Sequence, residues 1–178
     1  MSLITLSNGG AVETLDTIGT LVGGSGIDIV TVTNSVTNGS VDLKGSSDKL
    51  TLQGAANTVS VANIDTIIGT TGANTLTFSA AETGGSIDLG TGASSVTLAA
   101  GANSATVSNV ESLLGGAGND TITLGSALTT SNTVDLGAGA NKLTLSTAGN
   151  NGTLINVETL IGSGTATDSI TLSTTLSS

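Results

Sequence analysis

The chain has 178 residues, a net charge of −10 and three cations, Lys44, Lys49 and Lys142. This balance excludes the basic stripe that nucleic acid needs, and it excludes attraction to anionic membrane surfaces. With no Cys and no His, disulfides, thiolate or imidazole metal sites and every His-based catalytic triad are excluded as well.

Leu3-Ile4-Thr5-Leu6 alternates as a first strand and Asn8-Gly9-Gly10 reads as a turn. The start has no basic segment and no long apolar run, so it does not read as a secretory signal. Val12-Glu13-Thr14-Leu15 resembles Val157-Glu158-Thr159-Leu160, but four extra residues precede the next copy at Thr20. Residues 1–19 are therefore expected to form an irregular first rung. Further strands are predicted over 29–33, 40–43, 49–53, 58–61, 75–79, 86–89, 95–99, 104–107, 121–125, 132–136, 142–146, 153–157 and 168–173. These segments alternate apolar and polar residues, are rich in Val, Ile and Thr, and are separated by Gly with Asn, Ser or Thr. Only Ser79-Ala80-Ala81-Glu82 offers a helical turn. No apolar run is long enough to span a bilayer.

One stretch recurs. Asn109 to Leu124 reads as strand, glycine turn and strand, and close copies begin at Leu21, Asn63 and Asn156, in steps of 46, 46 and 47–48 residues. The expected blocks are 20–64, 65–110, 111–157 and 158–178. A shorter spacing lies inside the long one. Asp42, Asp65, Asp88, Glu111, Asp135 and Glu158 follow each other in steps of 23 or 24. Fixed periods of this kind indicate a stacked repeat. The expectation is one all-β domain, a parallel β-solenoid of seven to eight rungs of about 23 residues, about 35 Å long at roughly 4.8 Å per rung. The thin core of such a fold suits a chain with one Phe and no Trp or Tyr.

Two side-chain ladders are expected from the spacing. Thr31, Thr51, Thr77, Thr97, Thr123, Thr144 and Thr171 would stack on one face. They would either serve as exposed strand formers or order water as an ice-binding array. The six carboxylates would stack on adjacent rungs, where neighbours about 5 Å apart repel by roughly 1 kcal/mol in water. They would form a solvated acidic stripe or hold Ca²⁺ between rungs. Ser and Thr are too numerous for any one to stand out as a nucleophile, and aromatic sugar platforms are missing. An enzyme is not expected.

Gly23-Gly24-Ser25-Gly26-Ile27-Asp28 and Gly115-Gly116-Ala117-Gly118-Asn119-Asp120 resemble the Gly-Gly-x-Gly-x-Asp core of the repeats-in-toxin (RTX) calcium-binding family. The equivalents Gly69 to Asn74 and Gly162 to Asp168 depart from it. The resemblance implies Ca²⁺ held by the Asp28 and Asp120 carboxylates and by carbonyls of Gly23, Gly24, Gly26, Gly115, Gly116 and Gly118. It also implies an extracellular β-solenoid exported by a type I pathway without an N-terminal signal, similar to bacterial S-layer and matrix proteins.

The functional expectation is an extracellular structural protein that joins copies of itself end to end. Leu3, Ile4 and Leu6 would meet Ile170 and Leu172, because an unpaired strand edge templates another chain. The alternatives are a calcium-binding spacer of an adhesin and an ice-binding solenoid.

Overall fold

The computed structural model describes residues 2–45, 47–162, 164 and 166–174. It contains nineteen strands and, among the described residues, no helix. They are β1 (Leu3–Thr5), β2 (Val12–Leu15), β3 (Thr20–Val22), β4 (Ile29–Val32), β5 (Gly39–Asp42), β6 (Lys49–Leu52), β7 (Ala56–Ala62), β8 (Thr66–Gly69), β9 (Ala73–Phe78) and β10 (Thr83–Asp88). The chain continues with β11 (Ser95–Thr97), β12 (Ser104–Ser108), β13 (Ser112–Leu114), β14 (Thr121–Leu124), β15 (Thr133–Asp135), β16 (Lys142–Thr144), β17 (Asn151–Ile155), β18 (Thr159–Ile161) and β19 (Ser169–Leu172). The odd strands form a ten-stranded parallel sheet and the even strands a nine-stranded one. Each rung runs along one sheet, turns, and returns along the other. The fold is the expected all-β parallel solenoid.

The rung is shorter than the 23 residues read from the acidic spacing. Leu3 pairs with Thr20, a step of 17, and Ser112 with Thr133, a step of 21. Nine rungs carry both strands, and β19 begins another. The 46-residue repeat explains the difference. Leu21, Ile67, Leu113 and Leu160 stand on β3, β8, β13 and β18. One repeat therefore spans five strands, an odd number, which is two and a half rungs. Successive copies of the same sequence lie in opposite sheets.

The strands fall into five classes by repeat position: a (β3, β8, β13, β18), b (β4, β9, β14, β19), c (β5, β10, β15), d (β1, β6, β11, β16) and e (β2, β7, β12, β17). Class a was visible in the recurring stretch but absent from the strand-by-strand expectation, as was β2. The first rung is regular. β1 and β2 pair in register with β3 and β4, and the apparent insertion before Thr20 is an ordinary 17-residue step, seen again between Ala56 and Ala73. Ser79 to Glu82 forms a bend, not a helical turn.

Between the sheets lies one continuous core, mostly of Val, Leu and Ile. In the nine-stranded sheet Leu50, Ile67, Ile87 and Val107 stack in register; in the other, Leu76, Val96, Leu113, Val134 and Leu154 do so. Residues i and i+2 point inward because strand side chains alternate. The corner after class c needs a left-handed residue, with φ of 78° at Lys44 and 70° at Gly90 and Gly137. Glycine adopts it without cost from a Cβ.

Alternation distinguishes two residues that the sequence leaves alike. Ile67 is fully buried and its neighbour Ile68 faces outward, half-buried. Ile67→Ala is expected to cost about 2–5 kcal/mol, as large-to-small core changes do, and Ile68→Ala about 1 kcal/mol or less. Denaturant unfolding of the two variants checks this.

Candidate functional site at the rung edges and ends

A chain that reverses at every corner removes backbone N–H groups from the sheet ladders, and buried N–H groups need acceptors. Here a column of polar side chains supplies them at each edge. Before the nine-stranded sheet the column runs Asp28, Asp48, Asp65, Glu82, Asn103, Asp120, Asn141, Glu158. Asp28 Oδ1 accepts the Ala11 N–H at 2.8 Å, Asp48 Oδ1 that of Asp28 at 2.7 Å, and Asp65 Oδ2 that of Asp48 at 2.9 Å. Asn103 Oδ1 accepts from Glu82 N, Asp120 Oδ1 from Asn103 N, Asn141 Oδ1 from Asp120 N and Glu158 Oε2 from Asn141 N. The opposite edge does the same with Asn57, Ser94, Glu111, Asn150 and Asp168, while Asn74 Oδ1 accepts there from the Asn57 side-chain amide. Most members are buried.

The six carboxylates of the 23-residue spacing do not form one ladder. Asp42 and Asp135 close strands of the ten-stranded sheet and Asp88 closes one of the other. Asp65 and Glu158 precede strands of the nine-stranded sheet, and Glu111 precedes β13 of the ten-stranded one. The spacing mixes two repeat positions that change sides every copy. Asp42, Asp88 and Asp135 each clamp a corner. Their Oδ1 atoms accept the Nδ2–H of Asn63, Asn109 and Asn156 at 2.7–2.8 Å and the N–H two residues on. Those three asparagines hold left-handed φ values of 52–55°. Asp65, Glu111 and Glu158 cap the N–H groups of Asp48, Ser94 and Asn141.

The expected threonine ladder is divided in the same way. Thr31, Thr51, Thr123 and Thr144 lie in the nine-stranded sheet, and Thr77, Thr97 and Thr171 in the ten-stranded one. A different hydroxyl column runs in register on the ten-stranded sheet: Thr58, Thr75, Ser95, Ser112, Thr133, Thr153, Thr171. Thr20, Ser40, Ser60, Thr77 and Thr97 form a second rank beside it, which then passes to Leu114, Asp135 and Ile155. Pairing register, not residue type, defines these ranks, so sequence spacing missed them.

The two Gly-Gly-x-Gly-x-Asp turns lie five strands apart along the stack. Asp28 is fully buried, and its Oδ2 accepts the Gly24 N–H at 3.1 Å. Asp120 is also buried, and its Oδ2 has no hydrogen-bond partner. That oxygen and the Leu136 carbonyl together occupy the space a side chain at Gly115 would need. At the equivalent Asn74 the amide nitrogen fills that place and donates to the Leu89 carbonyl at 3.4 Å. Beside each of the two glycine turns stand one carboxylate and one main-chain oxygen, that of Leu43 or Leu136, against the six to eight oxygens Ca²⁺ takes. Among the described residues, no three acidic side chains are gathered for a metal.

Asp48 Oδ2 is the other buried oxygen without a partner. Asp48 is 1% exposed and corresponds, two repeats on, to Asn141, whose Nδ2 donates to the carbonyls of Gly137 and Asn156. Burial pushes the Asp48 carboxyl above the usual carboxylate range. The Asp28 N–H bond opposes this, and the Asp28 and Asp65 charges add to it. Burial also raises Glu82, with help from Asp65 and against the N–H bonds of Thr83 and Gly85. Burial acts to raise Asp42 too, but hydrogen bonds from Lys44 and Asn63 outweigh it and lower that group. Lys44 Nζ lies 2.8 Å from Asp42 Oδ2.

No protein-family model, curated protein or solved structure matches the chain.

A carboxyl raised in the folded state binds more protons there than when unfolded. Its contribution is full below the unfolded value and is lost as pH rises to the folded one. Asp48→Asn restores the amide donor of Asn141 and is expected to stabilise by about 1 kcal/mol at neutral pH. It also removes part of the decline in stability between the ordinary carboxylate range and neutrality. Melting curves across pH for wild type and variant check both.

Proposed function

We propose that the chain is a structural rod that joins copies of itself end to end, forming an extracellular filament or surface lattice. The observation that carries this reading is the state of the terminal rungs. Among the described residues, β1, β2, β18 and β19 each pair on one side only. The file of core residues is open there: Ile4 and Leu15 at one end, Leu160 and Ile170 at the other, are only partly buried, and Leu172 is 42% exposed. Leu6, expected at the joint, is buried within its own rung.

The phase of the repeat supports a head-to-tail joint. Class d follows class b in every internal pairing of that kind: β4 with β6, β9 with β11, and β14 with β16. The last strand, β19, is class b and the first, β1, is class d. β1 of one copy thus presents to β19 of the next the sequence class that β19 pairs with inside the stack. In the other sheet the step from β18 to β2 passes over class c, which leaves β18 an edge for one further strand. Head-to-tail contacts of this type do not close, so they propagate. Calcium belongs to the same proposal at the Asp120 turn, where the unpartnered Oδ2 has capacity for it; at the Asp28 turn both carboxylate oxygens already accept N–H groups. The resemblance of the turns at Gly23 to Asp28 and Gly115 to Asp120 to the RTX motif supports the extracellular setting.

A second reading, ice binding, is favoured by the hydroxyl ranks, which run two abreast on β7, β9 and β11.

Proline at an outward N–H separates the joint from the fold. Leu6 N donates to Val22 O, and Thr20 N to Ser2 O, so even-numbered residues of β1 face β3. Leu3 and Thr5 then face the open edge, because hydrogen bonding alternates along a parallel strand. Electron microscopy is expected to show filaments of the wild type, and of Thr5→Pro only folded monomers, since proline removes one edge donor. The images are compared with and without millimolar calcium. Wild-type monomers in both conditions would overturn the filament and leave the adhesin-spacer reading. Thermal hysteresis in the same preparations, reduced by Thr75→Tyr, is the outcome expected of ice binding.

A further inference from the structure

The two broad faces of the rod carry few charges, and those charges are sorted by face. Within the strands of the ten-stranded sheet the charged residues are Asp42 and Asp135, both on the outer face. On the outer face of the nine-stranded sheet they are Lys49, Lys142 and Asp88. The remaining outward positions are mostly Ser and Thr.

The positions match as well as the signs. Asp42 closes β5 and Lys49 opens β6, so the two stand at the same turn of the same rung. Asp135 closes β15 and Lys142 opens β16, at the same edge of a rung five strands further along. Five strand spacings are about 24 Å, and the two lysines are as far apart as the two aspartates. A second copy translated straight across the thickness of the rod, without rotation or axial shift, sets its Asp42 and Asp135 over Lys49 and Lys142 of the first. Asp88 closes β10 at the opposite edge of its face and does not interfere.

Among the described residues neither Lys49 nor Lys142 has an ion-pair partner within its own chain. Lys44 occupies Asp42, so Asp135 with Lys142 is the stronger of the two pairs. From these observations we infer that copies of this chain stack side by side, the acidic face of one on the lysine face of the next, to form layers.

The contact is small. Ten strands at about 4.8 Å and a strand length of about 13 Å give a face of about 600 Å², below the roughly 800 Å² per partner of a stable interface. Single copies therefore associate weakly by this face, while rods joined end to end sum many such contacts. In this respect the inference rests on the end-to-end reading.

A charge swap tests it. Electron microscopy and light scattering of the full chain are expected to show filaments bundled side by side at low salt. The bundles should dissolve as salt rises from about 0.01 to 1 M, where the screening length falls from about 30 to 3 Å, while filament length persists. Lys142→Glu and Asp135→Lys, each alone, are expected to leave filaments unbundled, and the double variant Asp135→Lys/Lys142→Glu to restore bundling. Because Asp135 also clamps its corner, melting curves first establish that these variants fold, and Asp135→Asn, which keeps the clamping oxygen, is expected to unbundle as well. Wild-type filaments that never bundle, or a double variant that bundles no better than the single ones, would overturn the lateral contact and leave end joining intact. Side-by-side pairs without filaments would support the lateral contact and overturn end joining.

Discussion

The structure depends on one recurring hydrogen bond. At many corners a side-chain oxygen accepts the backbone N–H of the rung before it, as Asp48 does for Asp28 and Asn141 does for Asp120. A solenoid with short strands of three to seven residues spends much of its chain in corners, where the sheet ladder does not reach. Buried N–H groups left without acceptors there would each cost about 1–3 kcal/mol. The oxygen also fixes register, because it reaches one rung and no further.

This requirement determines where the acidic residues sit. Of the thirteen acids, most stand in the edge columns or clamp the corners, and few reach the broad faces. An Asn in the column is self-sufficient, since its oxygen accepts from the neighbouring rung and its amide donates to its own turn, as Asn103 does to Ala99 and Gly101. An Asp at such a position keeps the first bond and loses the second, which leaves Asp48 and Asp120 with an oxygen that nothing satisfies. The run Asp28, Asp48, Asp65, Glu82 places four carboxylates on successive rungs, and it is there that burial and like charge raise Asp48 and Glu82. The columns therefore hold the stack together and draw most of the acids to its edges.

The five-strand repeat has a second consequence. Because five is odd, each copy of the sequence is turned by half a rung relative to the last, and the two faces receive the same motifs in alternation. Departures from the repeat then make the faces different. Class d carries Lys49 and Lys142 in one sheet but Leu3 and Ser95 in the other. Class c gives the ten-stranded sheet two aspartates and the nine-stranded sheet one. A repeat that would otherwise yield equivalent faces thus yields a directional one.

The sequence by itself determined the fold class. Alternating Val, Ile, Leu and Thr segments between glycine turns specify short strands, and a fixed period specifies stacking, since both depend only on local side-chain alternation and on repetition. It also pointed to the residues at the columns and ends. Which of these residues are neighbours was decided by the tertiary structure alone. The 23-residue acidic spacing is regular along the chain, yet it joins Asp65 at one edge to Glu111 at the other. The threonine triplets are regular too, yet they divide between two faces. Sequence distance becomes spatial distance only through the rung length, and that length is set by how many residues each corner uses before the next strand meets the ladder. Steps of 17, 20 and 21 residues have no signature in composition; they follow from corner geometry and from which oxygen reaches which N–H.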